Sequence, residues 1–155
     1  LSLSPEKTRI VRFSRYRMEE NGTFEFLGFE YRWKTSIRGK AWIKRSTSKK
    51  RLRNSLQNFK VWAKENNLKR GKEFFTLLNS KLRGYYNYYG VIGNLDGIWE
   101  FYYRATQILF KALNRRSQRR SYTWMGFSNL LRHFEIERPK LTDRATSSPV
   151  HLAIA

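Results

Sequence analysis

The hydrophobic spacing of this 155-residue chain predicts an α+β fold. A small antiparallel β element comes first, followed by a helical bundle of three long helices and a shorter fourth. Two observations carry the prediction. Up to residue 46, apolar and aromatic side chains fall into short alternating runs punctuated by turn residues. From Leu52 onward they recur every three or four residues in separate stripes. The border between sheet and bundle belongs near residue 46, where the period changes from two to 3.6.

Each element has its own signal. Arg9-Ile10-Val11-Arg12-Phe13-Ser14 has the β-branched and aromatic content of a strand. Asn21-Gly22 is a strong hairpin-turn signal. Phe24 to Tyr31 then reads as one returning strand, with Phe24, Phe26 and Gly28 on one face and Leu27, Phe29 and Tyr31 on the other. Arg38-Gly39-Lys40 turns the chain, and Ala41-Trp42-Ile43-Lys44 makes a third short strand. Ser46, Thr47 and Ser48 are N-cap candidates for a first helix. Its stripe is Leu52, Leu56, Phe59 and Ala63, and Asn66-Asn67 ends it. A second helix runs from Gly71 to Tyr89 with Phe75, Leu78, Leu82, Tyr85 and Tyr89 inward. Tyr86 borders that stripe, and Asn87 and Tyr88 face out. Gly84 sits inside this helix, where it costs roughly 1 kcal/mol relative to Ala; a close approach by another element would explain it. Gly90 and Gly93 mark the break. The third helix starts near Asn94 and carries Ile98, Tyr102, Ala105, Leu109 and Leu113. A fourth covers Trp124 to Phe134, with Phe127, Leu130, Leu131 and Phe134 inward. Residues 142–155 read as a loosely ordered tail.

Composition narrows the partner. Apolar residues make up 40% of the chain and aromatics 16%, enough for a packed core. The net charge is +20, a self-repulsion that an anionic partner relieves. Nucleic acid fits that balance first and an acidic membrane surface second. The membrane reading fails on pattern, since no stretch approaches the ~18 apolar residues a span needs. The N-terminus lacks a basic region followed by an apolar run, so it is no signal peptide. The absence of cysteine excludes disulfides, zinc fingers and thiol catalysis, and suits a cytoplasmic setting.

Charge is also unevenly placed. From Trp33 to Arg120 about 22 basic residues face 4 acidic ones, and no acid interrupts Lys34 to Lys64. A solvated helix face usually mixes signs, so Lys49, Lys50, Arg51 and Arg53 read as phosphate contacts. Arg115, Arg116, Arg119 and Arg120 follow a helix C-terminus. The helix dipole explains one or two cations there, and phosphate binding explains four. The run Leu82-Arg83-Gly84-Tyr85-Tyr86-Asn87-Tyr88-Tyr89-Gly90 interleaves rings with small and basic residues, as nucleic-acid surfaces do. Arg83, Asn87 and Tyr88 are its candidate contacts. Catalytic chemistry is scarce. The two aspartates, Asp96 and Asp143, lie far apart, and no carboxylate cluster holds a metal ion.

Leu3-Ser4-Pro5-Glu6-Lys7-Thr8 followed by Phe26-Leu27-Gly28-Phe29 resembles two late palm motifs of reverse transcriptases. The order and spacing are similar to those of group II intron-encoded reverse transcriptase/maturases. Gly84-Tyr85-Tyr86-Asn87-Tyr88-Tyr89-Gly90 and Leu113-Asn114-Arg115-Arg116 resemble that family's maturase-specific thumb, domain X. Trp124 to Leu141, with Glu137-Arg138-Pro139-Lys140, resembles the stretch that closes it. The resemblance covers residues 1–141. It implies that 1–46 is the edge of a palm, 47–141 a thumb and 142–155 a tail. It also implies that Lys7 assists pyrophosphate departure in a full enzyme, and that Phe26, Leu27, Gly28 and Phe29 form a primer grip. The thumb helices would then hold an RNA–DNA template–primer duplex and bind group II intron RNA, helping it to splice.

The departure from the family is large. Its Tyr-x-Asp-Asp sequence and earlier aspartate are missing, so this chain is expected to bind no Mg²⁺ and to polymerise nothing by itself. Mg²⁺ belongs to the full-length polymerase. The Leu1 start fits a C-terminal piece of a longer reading frame. The alternatives are a stand-alone RNA-binding splicing cofactor and the remnant of a decayed reverse transcriptase gene. A basic binder of ribosomal-protein type leaves the order of the palm-like motifs unexplained.

Overall fold

The computed structural model describes residues 11, 13–16, 22–115 and 122–142. Lys7, Arg116, Arg119, Arg120, three residues of the Arg9–Ser14 run (Arg9, Ile10 and Arg12) and everything beyond Thr142 lie outside them. The architecture is α+β. A three-stranded antiparallel sheet, in the order β1 (Phe24–Phe26), β2 (Phe29–Thr35), β3 (Ala41–Thr47), leads into four helices. These are α1 (Lys49–Asn66), α2 (Gly71–Tyr89), α3 (Leu95–Arg115) and α4 (Trp124–His133).

The sheet differs from expectation at its first turn. Phe24 to Tyr31 is two strands, and the chain reverses at Leu27-Gly28, with Phe26 opposite Phe29 and Phe24 opposite Tyr31. Both turn residues have positive φ, 50° and 84°, the signature of a type I′ hairpin. Phe24 and Tyr31 therefore share a face and stack at 5.0 Å, where a single strand would part them. Val11, Phe13 and Ser14 lie in no strand, although Phe13 packs edge-on against Phe24 and stacks on Trp33. Gly22 and Thr23 precede β1 without regular structure, so the Asn21-Gly22 signal marks no hairpin that the described residues contain.

The bundle follows the apolar stripes closely. Ser48 caps α1, its hydroxyl accepting from the Arg51 amide at 3.3 Å. Leu52, Phe59 and Ala63 of α1, Leu78 and Leu82 of α2, Ile98, Ala105, Leu109 and Leu113 of α3, and Phe127 of α4 form one core. Four buried residues were not expected there. Phe74, Phe101 and Ile136 join the core, and Tyr86 is fully buried while Tyr85 and Tyr89 are half-buried. For Tyr86 the reason is a second partner for α2. The segment after α4 runs back along it, and the Tyr86 hydroxyl donates to the Glu137 carbonyl at 3.2 Å. Burial pushes that phenol far above its ordinary pKa, so it stays a donor.

The same segment corrects two further expectations. Thr142 belongs to the fold, since its amide donates to the Gly90 carbonyl at 2.7 Å and its hydroxyl to the Tyr86 carbonyl at 3.0 Å. Gly90 is the glycine that a close approach requires, because an added Cβ would meet the Tyr86 and Lys140 carbonyls. Gly84 has no such neighbour and faces open space.

Sheet and bundle are joined by Asn94, which is 1% exposed. Its Oδ1 accepts from the Thr47 amide at 2.8 Å. Its Nδ2 donates to the Thr47 hydroxyl at 2.7 Å and to the Tyr89 carbonyl at 2.8 Å. One amide thus ties together the end of β3, the end of α2 and the start of α3.

Candidate nucleic-acid interface

The Leu27-Gly28 turn is strained, because a non-glycine residue in the left-handed region costs roughly 1–2 kcal/mol. Tertiary hydrogen bonds hold it there. The Tyr88 hydroxyl donates to the Leu27 carbonyl at 2.9 Å, and the Ser48 amide donates to the Gly28 carbonyl at 3.0 Å. Phe29 anchors the turn from below, stacked on Tyr88 at 5.9 Å and tilted against Tyr89 at 5.4 Å. Phe26 and Leu27 are left 60% and 65% exposed at the tip.

Ser48 both caps α1 and bonds to the turn, so the two are fixed to each other. The basic start of the helix therefore lies beside the hairpin tip. A groove of about 370 Å³ is lined by Glu25, Phe26, Leu27, Gly28, Lys50, Arg51 and Asn54. The Arg51 side chain runs so close to Gly28 that an added Cβ would lie 3.1 Å from its Cγ. Lys49 and Arg53 are exposed on the same two turns. This placement opposes helix stability. The first turn of α1 holds no acid, and cations there face the positive end of the helix dipole. Four cations, an N-terminal helix end and two exposed apolar side chains together form a surface suited to a phosphate chain with something flat or apolar beside it. Glu25 is the one acid in the groove lining, opposite Glu30 across the hairpin.

Only some of the expected contacts meet here. Phe26, Leu27, Gly28, Phe29, Lys50 and Arg51 converge, with Lys49, Arg53 and Tyr88 alongside. Tyr88 is exposed on α2, yet its hydroxyl is already committed to the turn. Asn87 is exposed one residue earlier. Arg83 lies elsewhere and is occupied: its Nη2 and Nε bond to Glu137 Oε1 at 2.8 and 3.2 Å. Lys140 reaches the other oxygen of that carboxylate at 3.4 Å. The hydrogen bond from Arg83 holds Glu137 below its ordinary pKa. Arg115 is at the far end of the bundle, beside Lys60, Lys64 and Lys111. Sequence reasoning missed those three lysines and also Asn54. The lysines had a signal in their spacing, since 60 and 64, like 111 and 115, are one helical turn apart.

Among the described residues no group of three or more His, Cys, Asp or Glu is placed to hold a metal ion. No helix among them is long and apolar enough to cross a membrane. Comparison of the chain with protein-family models, curated proteins and solved structures gives no match.

Proposed function

We propose that this chain is an RNA-binding protein whose principal contact is the face made by the 26–29 turn and the start of α1. Its ligand on this reading is a structured RNA, a group II intron, which it helps to fold for splicing in the manner of a maturase thumb. In a complete reverse transcriptase the same face would grip the template–primer duplex, with Mg²⁺ held by residues this chain lacks. The cytoplasm is the proposed setting. The observation that supports the reading is the strained Leu27-Gly28 turn, held against a cationic helix start by Tyr88 and Ser48. Strain kept in place by tertiary bonds is a mark of functional sites.

The test is a titration of intron transcript against the wild type and a variant carrying Lys49→Gln, Lys50→Gln, Arg51→Gln and Arg53→Gln. Wild-type affinity should fall by roughly 10³–10⁵ between 50 and 200 mM salt, as about 6–10 phosphate contacts require. The variant should bind more weakly at every salt concentration and with a shallower slope. Equal slopes would mean that these side chains merely face solvent.

A further inference from the structure

The C-terminal ends of α1 and α3 lie side by side and enclose a second groove of about 390 Å³. Lys60, Lys64 and Asn67 line one wall, Lys111 and Arg115 the other, and Ile108 and Ala112 contribute apolar surface. Each helix presents two cations one turn apart on one face, a spacing at which like charges repel. The helix dipoles account for part of the arrangement. Lys64 and Arg115 stand in last turns, where a cation is favoured. Lys60 and Lys111 stand a turn further in, where the dipole has faded. Among the described residues none of the four pairs with a carboxylate. Four cations facing one another across an open trough destabilise the free protein, and an anion with several charges relieves them.

We infer that this groove is a second binding site, taking the phosphodiester backbone of an unpaired RNA strand. Cations on both walls, and at two levels on each, suit a chain of phosphates better than one isolated anion. The apolar surface between the walls suits the sugar edge of a single strand, whereas a duplex would meet only the rim. The lining contains no aromatic ring, so it lacks the platform on which bases stack, and binding is indifferent to sequence. The site is separate from the hairpin face, because Lys50 and Lys64 are about 21 Å apart along the α1 axis. An RNA long enough to reach both gains from the linkage without any new contact.

A labelled ten-nucleotide oligouridylate is the probe. The variant Lys60→Gln, Lys64→Gln, Lys111→Gln, Arg115→Gln should bind it at least tenfold more weakly at low salt. Its log–log salt slope should be shallower by about 2–3, at about 0.7 per lost contact to a single strand. The charge-preserving Lys60→Arg, Lys64→Arg, Lys111→Arg variant should retain binding. A melting curve checks each fold; if the quadruple variant melts early, Lys60→Gln with Lys111→Gln carries the test with half the change in slope. Oligouridylate binding by the quadruple variant at wild-type affinity and slope would overturn the inference. Displacement of the oligomer by inorganic pyrophosphate at equal phosphate concentration would also overturn it, assigning the groove to a free polyphosphate. The hairpin-face variant separates the two proposals: it should bind intron RNA more weakly while keeping the oligouridylate. Should it keep both, the principal reading fails and the groove stands.

Discussion

A leucine with φ 50° and most of its side chain in solvent is poorly matched to its own backbone. Leu27→Gly removes that mismatch and should raise stability by about 1 kcal/mol, read as a higher melting temperature. The same change deletes an apolar side chain from the proposed RNA face, so intron RNA affinity should fall. A variant that is both more stable and a better binder would show that Leu27 contributes nothing to recognition. Asn94 is the opposite kind of residue, buried and fully used. Asn94→Ala leaves the Thr47 and Tyr89 backbone groups without their partner and should cost about 1–3 kcal/mol. Neither role could be read from sequence. Leu-Gly is a weak turn signal beside Asn-Gly, and Leu27 holds its conformation only because Tyr88 and Ser48, distant in sequence, bond the turn. Asn94 lay where a helix start was expected, and nothing local announces that its amide reaches back to Thr47.

Elements were far more legible than their partners. The 3.6 period placed α2 at Gly71–Tyr89 and found most of the residues that α1, α3 and α4 bury, since a long apolar stripe specifies a helix face whatever packs on it. The stripe does not say how many neighbours a helix has. α2 is covered on a second side by the segment from Phe134 to Thr142, which is why Tyr86 is buried and Arg83 is held by Glu137. This strap should respond to acid. The folded pKa of Glu137 lies below its ordinary value of 4.5, so its contribution is complete above that value and is lost as pH falls through the lowered one. Glu137→Gln should therefore lower stability at neutral pH and lose less on acidification to about pH 3 than the wild type does. Parallel wild-type and variant melting temperatures across that range would remove Glu137 from the account. The basic start of α1 was legible as charge. Its junction with the hairpin was not, because the single-strand reading of Phe24 to Tyr31 hid the turn.

Across the whole molecule, core and binding surfaces should separate. Leu109 is 1% exposed, and Leu109→Ala should cost about 2–5 kcal/mol while the fraction still folded binds RNA normally. The glutamine variants of the two basic surfaces should do the reverse, losing affinity with an equal or higher melting temperature, because the cations they remove repel one another or the helix dipole. A net charge of +20 that simply kept the protein soluble would be indifferent to position. The account instead assigns charge to two places, with the hairpin face dominant. The absence of cysteine makes that claim directly measurable, since a single introduced thiol carries a cleavage reagent to one known point. Asn54→Cys places it in the groove beside the turn, and Asn129→Cys places it on the exposed side of α4. With a tethered hydroxyl-radical source and bound intron RNA, cleavage from position 54 should be strong and confined to a few nucleotides. Cleavage from position 129 should be weak. Strong, localised cleavage from 129 with none from 54 would contradict the hairpin face as the principal RNA contact.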